Sequence, residues 1–220
     1  MSRTSSRFRL RRGPAVACEA LRKELKDLKF DLNCSVRYHA SQQKFYENVD
    51  FVVNTANLVL GSWAVFTLIS PLSKGAVVWA TAIVALLSFI NLSLRSAERS
   101  ARHSQFRQQY FDLLRKVRRV DLSGQSAKQD LLACQDSRLV IEREEPPVND
   151  VVNLIAYNRQ MIAQGEPVDS TWAVPRYMQW TNAIPYETSR IKTFGMIKAE
   201  KAQAAELKAS ARARKAASRR

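Results

Sequence analysis

Polar and apolar residues change rhythm several times along this chain. From Ala15 to Asp50 there is no proline or glycine, and Leu21, Leu25, Leu28 and Leu32 recur at spacings of four, three and four. That period predicts an amphipathic helix with one apolar seam. The alternation then stops. Residues 51–70 (FVVNTANLVLGSWAVFTLIS) and 76–94 (AVVWATAIVALLSFINLSL) are two apolar runs without a charge, parted by the short loop Pro71 to Gly75. At ~1.5 Å of rise per residue each run reaches about 30 Å, the thickness of a bilayer's hydrocarbon core. The expectation is a two-span transmembrane hairpin.

Neither predicted span has a stop signal on its outer side. Val36 to Val49 carries the first helix toward the first run unbroken. After Leu94 the sequence SLRSAERSARHSQFRQQYFDLLRKVRRV places Phe106, Tyr110, Leu113 or Leu114, and Val117 at helical spacing. Two long helices leaving one hairpin lie side by side, so the leucine seam and the Phe106 to Val117 stripe are expected to pair in an antiparallel stalk. Asp121, Ser123 and Gly124 interrupt, and shorter helices are expected over Ser126 to Ile141 and Val148 to Gln164. Pro146 and Pro147 separate those two, Asn149 or Asp150 supplies a cap, and Gly165 a stop. Residues 166–195 mix prolines and aromatics without a period and read as an extended docking segment. Residues 196–220 have high helix propensity but no apolar face, which predicts disorder or helix only on binding.

Mean hydropathy is −0.28 because the two runs are diluted by a charged remainder. The net charge of +15 belongs to the ends. Residues 1–12 hold five arginines and no acid, residues 190–220 hold ten basic residues against Glu200 and Glu206, and the body between them is nearly neutral. Such tails suit an anionic lipid surface first and nucleic acid second. Arg37 and Lys44 precede the first run, Arg95, Arg99, Arg102 and Arg107 follow the second, and the loop has only Lys74. The positive-inside bias then puts both termini in the cytoplasm of a multi-pass inner-membrane protein. Cys18, Cys34 and Cys134 show no CxxC spacing and are expected to be reduced and structural.

Within the first run Asn54, Asn57, Gly61 and Ala64 share a helix face; within the second, Thr81, Ala85, Ser88 and Asn91 do. Because the runs are antiparallel, Asn57 and Ser88 both lie about 9 Å inside the apolar zone, and Asn54 and Asn91 are level nearer the surface. Asn54, Asn57, Gly61, Thr81, Ser88 and Asn91 are therefore candidate pore-lining or interhelical residues. In one reading Asn54 bonds Asn91 and Asn57 bonds Ser88 inside a single hairpin; in the other, further copies complete an aqueous path. Arg95, Arg99 and Arg102 are placed to reach lipid headgroups. His39 and His103, near the membrane end of their stalk helices, are placed to approach across the stalk and read as ordinary interface residues in preference to a pH switch, for no carboxylate is obviously beside them. Glu142, Glu144 and Glu145 precede two prolines and read as a solvated helix end. Nucleotide-loop, zincin and hydrolase motifs are all missing, so neither an enzyme nor a cofactor or metal site is expected.

The pre-helix, the tight hairpin, the basic continuation SLRSAERSARHSQFRQQYFDLLRKVRR and the segment IEREEPPVNDVVNLIAYNR together resemble the SLATT family over about residues 20–160. That resemblance implies an all-α membrane protein that oligomerises into a pore or otherwise permeabilises the inner membrane in prokaryotic anti-phage or conflict responses. It also implies a separate nucleotide-sensing or nucleotide-generating partner, and it carries over no catalytic residue. The expected organisation is a basic tail over 1–14, a helical domain over 15–165 with spans at 51–70 and 76–94, an extended segment over 166–195 and a basic tail over 196–220. The alternative is a non-conducting two-span anchor whose tails hold a cytoplasmic partner or nucleic acid.

Overall fold

The structure is a computed structural model and describes residues 14–69, 74–124, 126–180 and 186–217. Residues 1–13 of the expected N-terminal tail and residues 70–73 of the expected loop lie outside the described residues. Among the described residues all regular elements are helical: α1 (Pro14–Ile69), α2 (Lys74–Leu94), α3 (Ser96–Arg118), α4 (Ala127–Glu144), α5 (Asp150–Ala163), α6 (Arg176–Trp180) and α7 (Phe194–Ala217). One apolar stretch, entered at Val78 on α2, is long and apolar enough to cross a membrane by length and composition.

The lack of a breaker between the leucine seam and the first apolar run has its consequence in α1. It is a single helix of 56 residues, about 84 Å long at the standard rise. Partners across it run in opposite order: Asn57 meets Ser88, Glu47 meets Ser100, Tyr46 meets Arg99 and His39 meets His103. That order makes α2 and α3 one antiparallel arm beside α1. The arm is not the unbroken helix its sequence predicts. Arg95 sits at φ 48° and ψ 47°, the only non-glycine residue with positive φ among the described residues. Helical bonds still bridge it, from Arg95 N to Asn91 O and from Arg99 N to Arg95 O, both 2.9 Å, so the arm is redirected and not severed. The left-handed conformation costs a side-chain-bearing residue about 1–2 kcal/mol.

The stalk core is the expected one. Leu25, Leu28, Leu32 and Val36 of α1 pack against Tyr110, Leu113, Leu114 and Val117 of α3, with Leu131 and Cys134 of α4 closing the third side. Burying each leucine contributes roughly 1.5–3 kcal/mol, which fixes the register of α3 on α1. Arg138 of α4 adds 2.6 Å contacts to Asp31 of α1 and to Glu142 one turn along its own helix. Helix α5 lies on α1 through Tyr38, Val152 and Ala156 and through the edge-on rings of Phe30 and Tyr157. Asn149 caps α5 by accepting from Val152 N at 3.2 Å, and Gly165 at φ 80° ends the segment.

The segment after Gly165 docks on α5: Asn158 exchanges two hydrogen bonds with the backbone of Trp172, at 2.7 and 2.8 Å. Gly195 passes so close to Asp169 that a Cβ there would lie 2.9 Å from its carbonyl oxygen. The C-terminal stretch differs from expectation, for it is helical over Phe194–Ala217. Its alanines and long charged side chains have the propensity, and Lys192–Glu200 and Lys198–Asp169 pairs hold its first turns to the segment before it.

Cysteine accessibility gives a direct check on the stalk. Cys34 and Cys134 are buried, and burial first of all pushes the Cys34 thiol up to about 12 and raises that of Cys134. Since the thiolate is the reactive form, a maleimide at pH 7.5 is expected to label Cys18 in the native protein and the other two only after denaturation. Mass spectrometry of the labelled peptides reads this, and equal labelling of Cys34 and Cys18 contradicts the packing.

Candidate functional site

The polar residues of the apolar hairpin gather where α1 and α2 are closest to the stalk. Asn57 and Ser88 face each other because each is on the inward face of its helix at the same level, and Asn57 Nδ2 donates to Ser88 Oγ at 3.2 Å. Asn54 does not reach across to Asn91. Its Nδ2 instead donates to Asp50 Oδ2 at 3.0 Å, one turn back along α1, where a carboxylate is the stronger acceptor. The carbonyl oxygens of Asn57 and Asn91 and the hydroxyl of Ser96 are buried without a hydrogen-bond partner. All of these groups line one open cleft of about 510 Å³ that also touches Asp50 and Arg95. Gly61 and Thr81 do not line it; Gly61 has open space where a Cβ would be, and Thr81 is exposed.

The outer faces of the same helices are apolar and open. Phe51, Val52, Leu58, Val59 and Phe66 of α1, and Val78, Trp79, Leu86 and Phe89 of α2, are all more than half exposed. Val53 and Ala80 are among the few hairpin residues buried between the helices.

The arginines beyond the cleft have partners within the chain. Arg95 and Glu98 approach to 3.5 Å in the open. Arg99 donates to the Tyr46 hydroxyl at 3.3 Å with its guanidinium over that ring, and Arg102 donates to the Glu144 carbonyl at 3.2 Å above the Phe106 ring. Headgroup contact is thus not needed to place Arg99 and Arg102; they also fasten α3 to α1 and to the end of α4.

A second polar centre lies directly below. His39 of α1 and His103 of α3 are almost wholly buried, and their Nδ1 atoms are 3.0 Å apart. Nε2 of His39 is 3.0 Å from Glu145 Oε1, so the two rings and the carboxylate form a continuous line. Aromatic rings enclose it: Phe106 and Tyr110 stack on His39, Tyr46 stacks on His103, and Tyr38 meets both edge-on. This corrects, for Glu145, the reading of Glu142, Glu144 and Glu145 as a solvated helix end; Glu144 is exposed. Glu142 pairs with Arg138, and the Glu145 side chain is only 11% exposed. The cause is the Pro146–Pro147 pair: the residue before a proline is driven to extended backbone, and Glu145 at φ −67° and ψ 144° turns its carboxylate inward.

Electrostatics follow from that enclosure. Burial, then the neighbouring His39, lowers His103 to about 4 against the pull of Glu145, while Arg102 and Arg99 lower it further. Burial raises the Tyr110 hydroxyl well above the usual phenol range, and the Glu145 carboxylate facing it adds to the rise. Tyr38 is also raised by burial, while its oxygen accepts from Asn149 N at 3.0 Å and so ties the start of α5 to the junction. Among the described residues no group of three His, Cys, Asp or Glu side chains is arranged to hold a metal ion.

Compared with protein-family models, with curated proteins and with solved structures, the chain matches none.

Proposed function

We propose that this chain is a two-span inner-membrane protein, both termini cytoplasmic, whose hairpins assemble with one another to let ions or small solutes through the bilayer. The observation that carries the reading is the cleft of Asn54, Asn57, Ser88 and Asn91, set in helices whose other faces are exposed and apolar. Buried amide oxygens without a donor are costly in hydrocarbon, so the cleft must face water or another copy. One pair of helices encloses nothing, which makes assembly the condition for conduction. The resemblance to SLATT proteins supplies the setting, a membrane effector of prokaryotic conflict responses triggered by a partner that senses or makes a nucleotide signal.

Purified protein in liposomes tests this. Dye release is expected to rise more steeply than linearly with protein density, with native mass spectrometry showing oligomers released from membrane mimetic. Monomers in sealed liposomes at high density instead favour the non-conducting anchor, which draws support from the Asn57 to Ser88 bond closing within a single hairpin. In that case the basic tails, facing lipid or nucleic acid, carry the function.

A further inference from the structure

We propose that the line His39, His103 and Glu145 is a proton-operated latch that holds the α4–α5 turn onto the α1–α3 stalk at neutral pH and releases it in acid. The latch joins three parts of the chain at one point, residues 39, 103 and 145, and it holds whether or not the hairpin conducts.

The protons in the closed state are fixed by the chemistry of the partners. An ionised carboxylate only accepts, so Nε2 of His39 carries the hydrogen directed at Glu145. In a neutral ring Nδ1 of His39 is then bare, and it accepts from Nδ1–H of His103 across 3.0 Å. Each neutral imidazole thus has one proton and every proton in the line has a place. A further proton opposes closure only where it enters His103. On His39 Nδ1 it makes an imidazolium that faces the Glu145 carboxylate at 3.0 Å, and His103, turned to its Nε2–H tautomer, accepts from it, so the line stays closed. On His103 it makes a buried imidazolium beside the Arg99 and Arg102 guanidiniums of the same helix.

The other groups facing the pair do not compensate. From α1 come Tyr38 and Tyr46, from α3 Phe106 and Tyr110, and from the end of α4 only Glu145, already engaged by His39. Tyr46 is itself bonded by Arg99, and the Glu144 carbonyl next to Glu145 is held by Arg102. Opening relieves the three-cation crowding and exposes His103 to water. What opens with it is the backbone from Glu145 to Asn149, whose amide is bonded to Tyr38 on the same face of α1.

The sign follows from linkage. His103 is lower when closed, about 4, than its ordinary 6.5, so closure is unaffected above pH 6.5 and weakens as pH falls from there toward 4. Between pH 8 and pH 5 the opening equilibrium should shift by about 30-fold.

Hydrogen–deuterium exchange of the full-length protein in nanodiscs, corrected for the intrinsic pH dependence of exchange, reads this. Peptides covering residues 145–153 are expected to lose protection by about 30-fold at pH 5, while those covering Leu113 to Val117 keep it. His103→Gln can still donate to His39 but cannot titrate, so its protection should be the same at both pH values. The proposal is overturned if wild-type protection does not change, or if the variant loses it equally. Should the variant not fold, C2–H exchange of the wild-type histidine rings decides: a His103 midpoint near 4 supports the latch, and one at or above 6.5 overturns it.

Discussion

Leucine at both Asn54 and Asn57 is expected to reduce dye release from liposomes at least about tenfold, with helix content and membrane insertion unchanged. The magnitude rests on two lost polar groups lining the path, the interhelical bond of Asn57 to Ser88 contributing about 0.6–2 kcal/mol and the bond of Asn54 to the Asp50 carboxylate within α1 adding to it. The two side chains act differently. Asn57 spends its amide nitrogen on Ser88 and leaves its oxygen free toward the cleft, whereas Asn54 orients the Asp50 carboxylate at the cleft's edge. The double change therefore strips the cleft of an acceptor and of the group that fixes its one carboxylate partner on α1. Leucine makes the first run more apolar, so weaker leakage cannot be attributed to failed insertion. Leu58→Ala, on the exposed outer face, is the control and should leak like wild type. If the double variant leaks fully, the path does not run along these residues and conduction through the cleft is wrong.

Much of the stalk was legible because its signals are local and redundant. The leucine spacing, the Phe106 to Val117 stripe and the proline-free connections each call for the same antiparallel pair, and burial of Leu32, Tyr110 and Val117 agrees. Asn149 and Gly165 were equally readable, since a cap and a stop are set by residues within a few positions. What could not be read was geometry that depends on a direction. Equal depth matched Asn57 with Ser88, but it said nothing of rotation about the helix axis, and Asn54 turned to the carboxylate one turn away. Arg95 in the left-handed region has no signal in its residue type, because arginine is there on account of the two helices it joins.

The histidine junction shows why composition misled. Three glutamates before two prolines are solvated on most helix ends, and the statistical expectation was sound. Here Pro146 and Pro147 turn the last of the three inward over a stalk where two histidines, 64 residues apart, had already been brought together by register. Each histidine looked unpaired in its own neighbourhood; the carboxylate that completes the line is 106 residues from His39. An acid immediately before a Pro-Pro pair, opposite a helical histidine at the expected stalk level, was the available signal.

The same geometry predicts that His39→Leu destabilises the stalk helices by about 3–5 kcal/mol at pH 8, far more than Glu145→Gln. Leucine removes the His39 donor 3.0 Å from the Glu145 carboxylate, whose side chain is 11% exposed, and leaves a buried charge with only the Tyr110 hydroxyl facing it. It also deprives His103 of the acceptor for its Nδ1 proton. Glutamine at 145 keeps a carbonyl oxygen that can accept from His39, so its loss is that of one charge-assisted bond reduced to a neutral one, about 1 kcal/mol. The informative variant is the pair His39→Leu with Glu145→Leu. With the carboxylate gone there is no charge to strand, and two leucines among Phe106, Tyr110 and Tyr38 are compatible neighbours, so most of the single variant's loss should return. Urea denaturation in nanodiscs followed by far-ultraviolet circular dichroism measures all three. Single and double variants of equal stability would mean that Glu145 is neutralised by something other than His39, and the junction would then lack the charge on which its proton sensitivity depends.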